Sequence, residues 1–259
     1  LESLVIRPIL DGDEVSQYSF RWAEDPIRDL KNAHFQVNDI GGREVSKQEV
    51  VEAIDSRDPY VVVHYDHGDE DAWIGNKTEP IMTSADAHLL SGRVVYTMNC
   101  LSAKTLGVNA WKAGAKAYVG YVQEFAFTLD GELLFREAVG YGLSVYLSGI
   151  TDWSQIKRRM VDKFNEMMAA ATDPWTGMWL RHDRDALRIY NGETPETTCF
   201  FRKIALLLLG KRYGWLVGRG QIVGFAVFFF SFGLAVHDFA HSLWALGGLK
   251  EILGLHGGW

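Results

Sequence analysis

The sequence predicts an α/β protein built around a mostly parallel sheet, and three runs carry that prediction. Tyr60–Tyr65, Val94–Asn99 and Lys116–Tyr121 are short and rich in β-branched and aromatic residues, which suits buried strands. Segments with helical spacing separate the strand runs, and that alternation is the mark of a parallel sheet joined by crossovers. The chain has 259 residues, enough for one large domain or a domain with an appendage, and its 47% hydrophobic and 13% aromatic content supplies a core, so disorder is not expected.

Taken in order, Leu4–Leu10 is a first strand that ends at Asp11-Gly12-Asp13. A helical stretch from about Val15 to Asn32 follows, interrupted near Pro26. Phe35–Asn38 is a short strand closed by Gly41-Gly42. Ser46-Lys47-Gln48-Glu49 is a capping box, so a helix starts there and buries Val50, Val51 and Ile54. The Tyr60–Tyr65 strand ends in Asp66-His67-Gly68-Asp69. His64 lies mid-strand and belongs to the core, and His88 belongs structurally to a short amphipathic stretch, Ser84–Leu90. Asp69 to Glu79 is a polar loop. Cys100 closes the Val94–Asn99 run, a helix spans Ala103–Ala113, and after the Lys116–Tyr121 strand the extended pattern continues from Val122 to Leu129. A helix runs from about Gly131 to Leu147. A second runs from about Trp153 to Ala171, capped by Asp152 or Ser154, with Ile156, Met160, Phe164 and Met167 on its buried face. Pro174 ends it, and Trp179–His182 with Ala186–Tyr190 suggests a terminal hairpin bent at Asp183-Arg184.

From about Thr197 the composition changes. The net charge of −7 divides into +4 over residues 197–259 and −11 over residues 1–196. An acidic body argues against nucleic-acid binding. Ile222–Val236 is uncharged, and the apolar character continues to Leu249 past His237-Asp238. A spanning helix needs about 20 apolar residues. The stretch 204–249 is therefore expected to associate with a membrane or a hydrophobic partner, with the body, residues 1–196, in the cytoplasm or on the cytoplasmic face. His237 and His241 have metal-ligand spacing but no evident third ligand, so helix packing is their expected role. The two cysteines, Cys100 and Cys199, indicate no disulfide framework and favour a reducing compartment; no secretory leader is visible, and Cys199 is read as an ordinary thiol.

The chemistry concentrates at two strand ends. His67 and Cys100 each lie just past the carboxyl end of a predicted parallel strand, the edge where α/β proteins place their sites. A thiol needs a base to become the thiolate nucleophile, and an adjacent His can take the proton and return it to a leaving amine. Gly68 lets a backbone N–H approach a substrate carbonyl, and with the N–H of Cys100 it would form an oxyanion hole. Asp11 and Asp39 are candidates to orient His67. Asp69, Glu70 and Asp71, followed by Trp73, could line a substrate pocket and receive a cationic side chain. The sequence asks for no metal and no cofactor. It contains no Gly-x-Ser-x-Gly elbow, Walker loop or dinucleotide fingerprint.

Strand–His67-Gly68, strand–Cys100, a helix, and then Gly114-Ala115-Lys116-Ala117-Tyr118-Val119-Gly120 together resemble the caspase-like cysteine peptidases, closest to the gingipain-type branch. Asp183–Gly192 resembles the segment that closes such domains, and the likeness covers roughly residues 1–195. Asn99 stands where that family usually has a small residue, and the caspase Gln-Ala-Cys signature is absent. The resemblance implies a three-layer sandwich and cleavage of a protein or peptide substrate after one chosen side chain. Two functions follow: a cysteine endopeptidase using Cys100 and His67, or an inactive caspase-like module that serves as a binding scaffold.

Overall fold

The computed structural model describes residues 1–192. The expectations for Cys199, for the His237/His241 pair and for the apolar tail at 197–259 lie outside those residues. No helix among the described residues is long and apolar enough to cross a membrane.

A six-stranded sheet forms the middle layer. Its strands are β1 (Glu2–Arg7), β2 (Gln36–Gly41), β3 (Val61–Tyr65), β7 (Val94–Met98), β8 (Ala117–Tyr121) and β9 (Leu187–Asn191). They lie in the order β2-β1-β3-β7-β8-β9, all parallel except β9, which runs antiparallel along β8. Every residue of β3, β7 and β8 is buried, which is why those runs carry no alternating polar face. The three remaining strands, β4 (Gly68–Asp69), β5 (Ala72–Ile74) and β6 (Pro80–Thr83), form a separate small antiparallel sheet.

Alternate residues of the main sheet feed two cores. Val61, Val63 and Tyr65 pack under α1 (Glu14–Trp22), α2 (Glu24–Asn32), α5 (Glu132–Leu147), α6 (Trp153–Ala170) and α7 (Pro174–Ala186). Leu4, Val62 and Val95 pack on the opposite face under α3 (Lys47–Arg57), α4 (Leu106–Lys112) and the small sheet. The result is the expected three-layer α/β sandwich. The capping box forms as read: Ser46 Oγ accepts the Glu49 N–H at 3.3 Å, and Glu49 Oε2 accepts the Ser46 N–H at 2.9 Å.

Four local expectations are corrected. The first helical stretch breaks at Ala23, and Pro26 sits in the first turn of α2, where a missing N–H costs nothing. The polar loop 69–79 contains β5 and leads into β6. Residues 122–129 form no strand: the chain leaves the sheet after Tyr121, where the Val122 N–H donates to the Ala186 carbonyl at 3.0 Å. The terminal hairpin is instead α7 followed by β9. Pro174, read as a stop, is the first residue of α7, and Asp173 is its N-cap, with Asp173 Oδ1 accepting the Thr176 N–H at 2.9 Å.

Candidate active site

The register of the sheet builds the site. Tyr65 pairs with Met98, so the chain leaves β3 and β7 side by side. His67 and Cys100 each lie two residues further on. Asp13 follows β1, the other neighbour of β3. The chain order across the sheet reverses between β1 and β3, the kind of position where open α/β sheets form clefts.

His67 and Cys100 line one small cavity together with Asp66, Ser19, Trp22 and Phe125. Its volume is about 30 Å³, room for about one water molecule. The structure thus brings the two predicted residues to a common space. It does not join them, since no hydrogen bond links Sγ to the imidazole among the described residues. Cys100 Sγ instead accepts the Phe125 N–H at 3.3 Å, with the Phe125 carbonyl at 3.9 Å. Burial pushes the thiol above its ordinary pKa; the Phe125 N–H opposes this, and the charges of Glu124 and Asp183 add to it. The resting cysteine is therefore a thiol.

His67 Nε2 pairs with Asp13 Oδ2. Burial alone would raise the Asp13 carboxyl, but the hydrogen bond and charge of His67 outweigh it and hold Asp13 below the usual carboxylate range. The acid at His67 is thus Asp13 and neither of the two acids suggested by the sequence. Asp39 is taken by Arg7, at 2.8 Å from Nε, and the Asp11 carbonyl receives Lys77. Asp13 is also the N-cap of α1, a role that a helix-start reading at Val15 could have assigned to it.

Gly68 lies against the Cys100 peptide. A Cβ there would stand 2.5 Å from the Cys100 carbonyl oxygen and 3.0 Å from Asn99 Cγ. The Ile74 N–H donates to the His67 carbonyl at 3.0 Å, which puts Gly68 opposite Trp73 in the non-hydrogen-bonded register. The Gly68 N–H therefore points off that ladder. The Cys100 N–H has no acceptor among the described residues. The residue after it, Leu101, takes the left-handed conformation at φ 59°.

The predicted pocket acids do not line this cavity. Asp69, Glu70 and Asp71 are exposed; Glu70 pairs with Lys104, and its carbonyl accepts the Thr105 and Leu106 N–H groups at 3.1 and 3.0 Å. Trp73 is not a pocket wall either. It is fully buried in the opposite core, stacked on His64 with ring centroids 5.0 Å apart. The acid that does face the cavity is Asp66, only 4% exposed, with no hydrogen-bond partner on either oxygen. Burial, with the charge of Asp13 behind it, pushes its carboxyl up to about 8, against weak, poorly aligned approaches of the His67 N–H and the Ser19 hydroxyl. The Ser19 hydroxyl is nearby, but its proton is committed to the Val15 carbonyl at 2.8 Å. Asp66 directly precedes His67 in sequence, and that adjacency was the available signal.

No protein-family model and no curated protein sequence matches the chain. Among solved structures it is similar to the crystal structure of the Arg-specific cysteine proteinase gingipain R (RGPB), with a TM-score of 0.50 and 10% sequence identity. The match covers 73% of this chain and 46% of that one, so this chain spans less than half the length of the proteinase it matches. At that identity the likeness establishes the fold: residues 1–192 adopt the caspase-like α/β sandwich that the gingipain R structure also contains.

Proposed function

We propose that this chain is a cysteine endopeptidase. Cys100 is the nucleophile, His67 the general base and then acid, and Asp13 the group that orients His67. The observation that carries the reading is the shared cavity of His67 and Cys100 at the ends of paired strands. His67 takes the thiol proton as sulfur attacks the scissile carbonyl, and the N–H groups of Gly68 and Cys100 receive the oxyanion. The amine leaves with the proton from His67, and water then hydrolyses the thioester. For sulfur to meet His67, the thiol turns away from Phe125 and the 122–130 segment yields space.

Asp66 supports a basic side chain as the one selected. A carboxyl buried without a partner gains most from a cation, to which it gives up its proton. The similar solved structure is that of an Arg-specific enzyme, which agrees with this choice. A second reading, the inactive binding scaffold, draws on the protonated, Phe125-capped thiol. The membrane-associated form is proposed on the sequence of 204–249 alone, and liposome flotation of the full chain tests it.

The deciding experiment is Cys100 alkylation by iodoacetamide across pH, with and without His67→Ala, in a Cys199→Ser background. It is paired with a library of peptide substrates. His67-dependent labelling together with cleavage after Arg or Lys supports the peptidase. Slow labelling indifferent to His67, with no cleavage, favours the scaffold.

A further inference from the structure

Beneath the site runs a chain of buried hydrogen bonds that the catalytic steps do not use. Trp73 Nε1–H donates to Tyr118 Oη at 3.0 Å, and the Tyr118 hydroxyl donates to Ser102 Oγ at 2.8 Å. The Ser102 hydroxyl donates to Asn99 Oδ1. Asn99 Nδ2–H donates to His64 Nδ1 at 2.8 Å, and His64 Nε2–H reaches the Ile74 carbonyl at 3.2 Å. His64, Trp73, Asn99, Ser102 and Tyr118 are each at most 1% exposed.

The direction of this chain is fixed at both ends. An indole N–H can only donate, and a backbone carbonyl can only accept. One arrangement of protons satisfies every link, and it sets both the orientation of the Asn99 amide and the Nε2–H tautomer of His64. Burial drives the His64 pKa down to about 3, so the ring stays neutral and the arrangement holds at ordinary pH.

What the chain grips is the turn that carries Cys100. Asn99 precedes the cysteine, and Ser102 follows it by two residues. The Ser102 N–H donates to the Cys100 carbonyl at 2.6 Å, and the Leu101 N–H to the Gln123 carbonyl at 3.1 Å. Gly68 packs on the same turn, against Asn99 and the Cys100 carbonyl. The orientation of the Cys100 peptide relative to Gly68 is thus set by a chain of side chains of which only Asn99 reaches the cavity wall.

We propose that Asn99, Ser102 and Tyr118 are positioning residues, whose one-way hydrogen-bond chain turns the Cys100 N–H toward the same oxyanion position as the Gly68 N–H. The proposal rests on the peptidase reading. Its physical core, the grip on the turn, can be measured without it.

The test is Tyr118→Phe, which keeps the ring and removes the hydroxyl joining Trp73 to Ser102; if that variant does not fold, Ser102→Ala replaces it. Four quantities are compared with wild type: kcat and KM on a peptide amide, Cys100 alkylation by iodoacetamide, and amide hydrogen exchange at Leu101 and Ser102. Alkylation needs a thiolate but no oxyanion donors. The expected result is kcat lowered roughly 10- to 100-fold, KM and alkylation changed less than about twofold, and exchange faster at Leu101 and Ser102 than at strand amides. An unchanged kcat in an active enzyme overturns the positioning role and leaves the peptidase reading standing. If wild type labels but cleaves nothing, the peptidase reading fails, and exchange then decides the grip. Selective acceleration at Leu101 and Ser102 supports it, and acceleration equal to that of the strands overturns it.

Discussion

Asp13 holds His67 with one carboxylate oxygen and the start of a helix with the other. Oδ2 meets the imidazole, and Oδ1 accepts the Val15 N–H at 2.9 Å. The two roles separate by mutation. Asn caps a helix about as well as Asp, so Asp13→Asn keeps α1 and loses only the charge at His67. It is expected to lower kcat roughly 10- to 100-fold with α1 intact by circular dichroism, and to lose at neutral pH only the stabilisation that the charge supplies. Asp13→Ala is expected to lose about 1 kcal/mol of stability as well. Because Asp13 is held below its unfolded value, its stabilisation is present above that value and lost as pH falls through the folded pKa. Wild type should therefore lose more stability than Asp13→Asn on acidification below about pH 4.

Asp66 gives the opposite slope. Its folded pKa, about 8, lies above the unfolded value of 3.8. The folded state then holds a proton that the unfolded state gives up between those limits, so stability falls as pH rises through that window and levels off above it. Asp66→Asn removes the penalty. At pH 8 the variant is expected to be more stable than wild type, by up to about 5 kcal/mol, and the difference should shrink toward zero near pH 4. Urea unfolding at a series of pH values checks this. The same variant should lose any preference for basic substrates.

Gly68→Ala is a steric test. The new methyl would stand 2.5 Å from a backbone oxygen, which cannot rotate away. A cost of about 2–3 kcal/mol is expected, together with loss of peptide cleavage, measured by urea unfolding and a peptide assay. A stable, active Gly68→Ala would mean that β4 is not seated on the Cys100 turn.

Phe125 meets the thiol through its backbone and lines the same cavity, and its ring packs edge-on against Tyr121 and Phe135, at ring-centroid distances of 5.0 and 6.5 Å. Phe125→Ala should destabilise the protein by about 2 kcal/mol. It should also admit water to Cys100 and relieve the burial that raises its pKa. Alkylation at neutral pH is expected to accelerate several-fold, read by mass spectrometry against the intact protein.

The sequence disclosed what is local and left hidden what depends on distant partners. β3, β7 and β8 are buried on both faces, so their composition alone marks them. His67 and Cys100 were legible because each terminates such a strand. Asp13 was not, because its partner lies 54 residues away and only the order of β1 beside β3 brings them together. α7 was misread because Asp173-Pro174 can end one helix or start the next, and only the cap geometry separates the two. Asn99 looked like a departure at the residue before the cysteine. Its reason appears only when His64 and Ser102 close around it.

The sheet and the segments over its carboxyl edge are separable parts. Cys100 and His67 are set by strand register, while Phe125 and Phe127 of the cavity wall come from 122–130, which contributes no strand. Changes in the segments over that edge could alter what the cavity admits while the paired strands keep His67 and Cys100 in place.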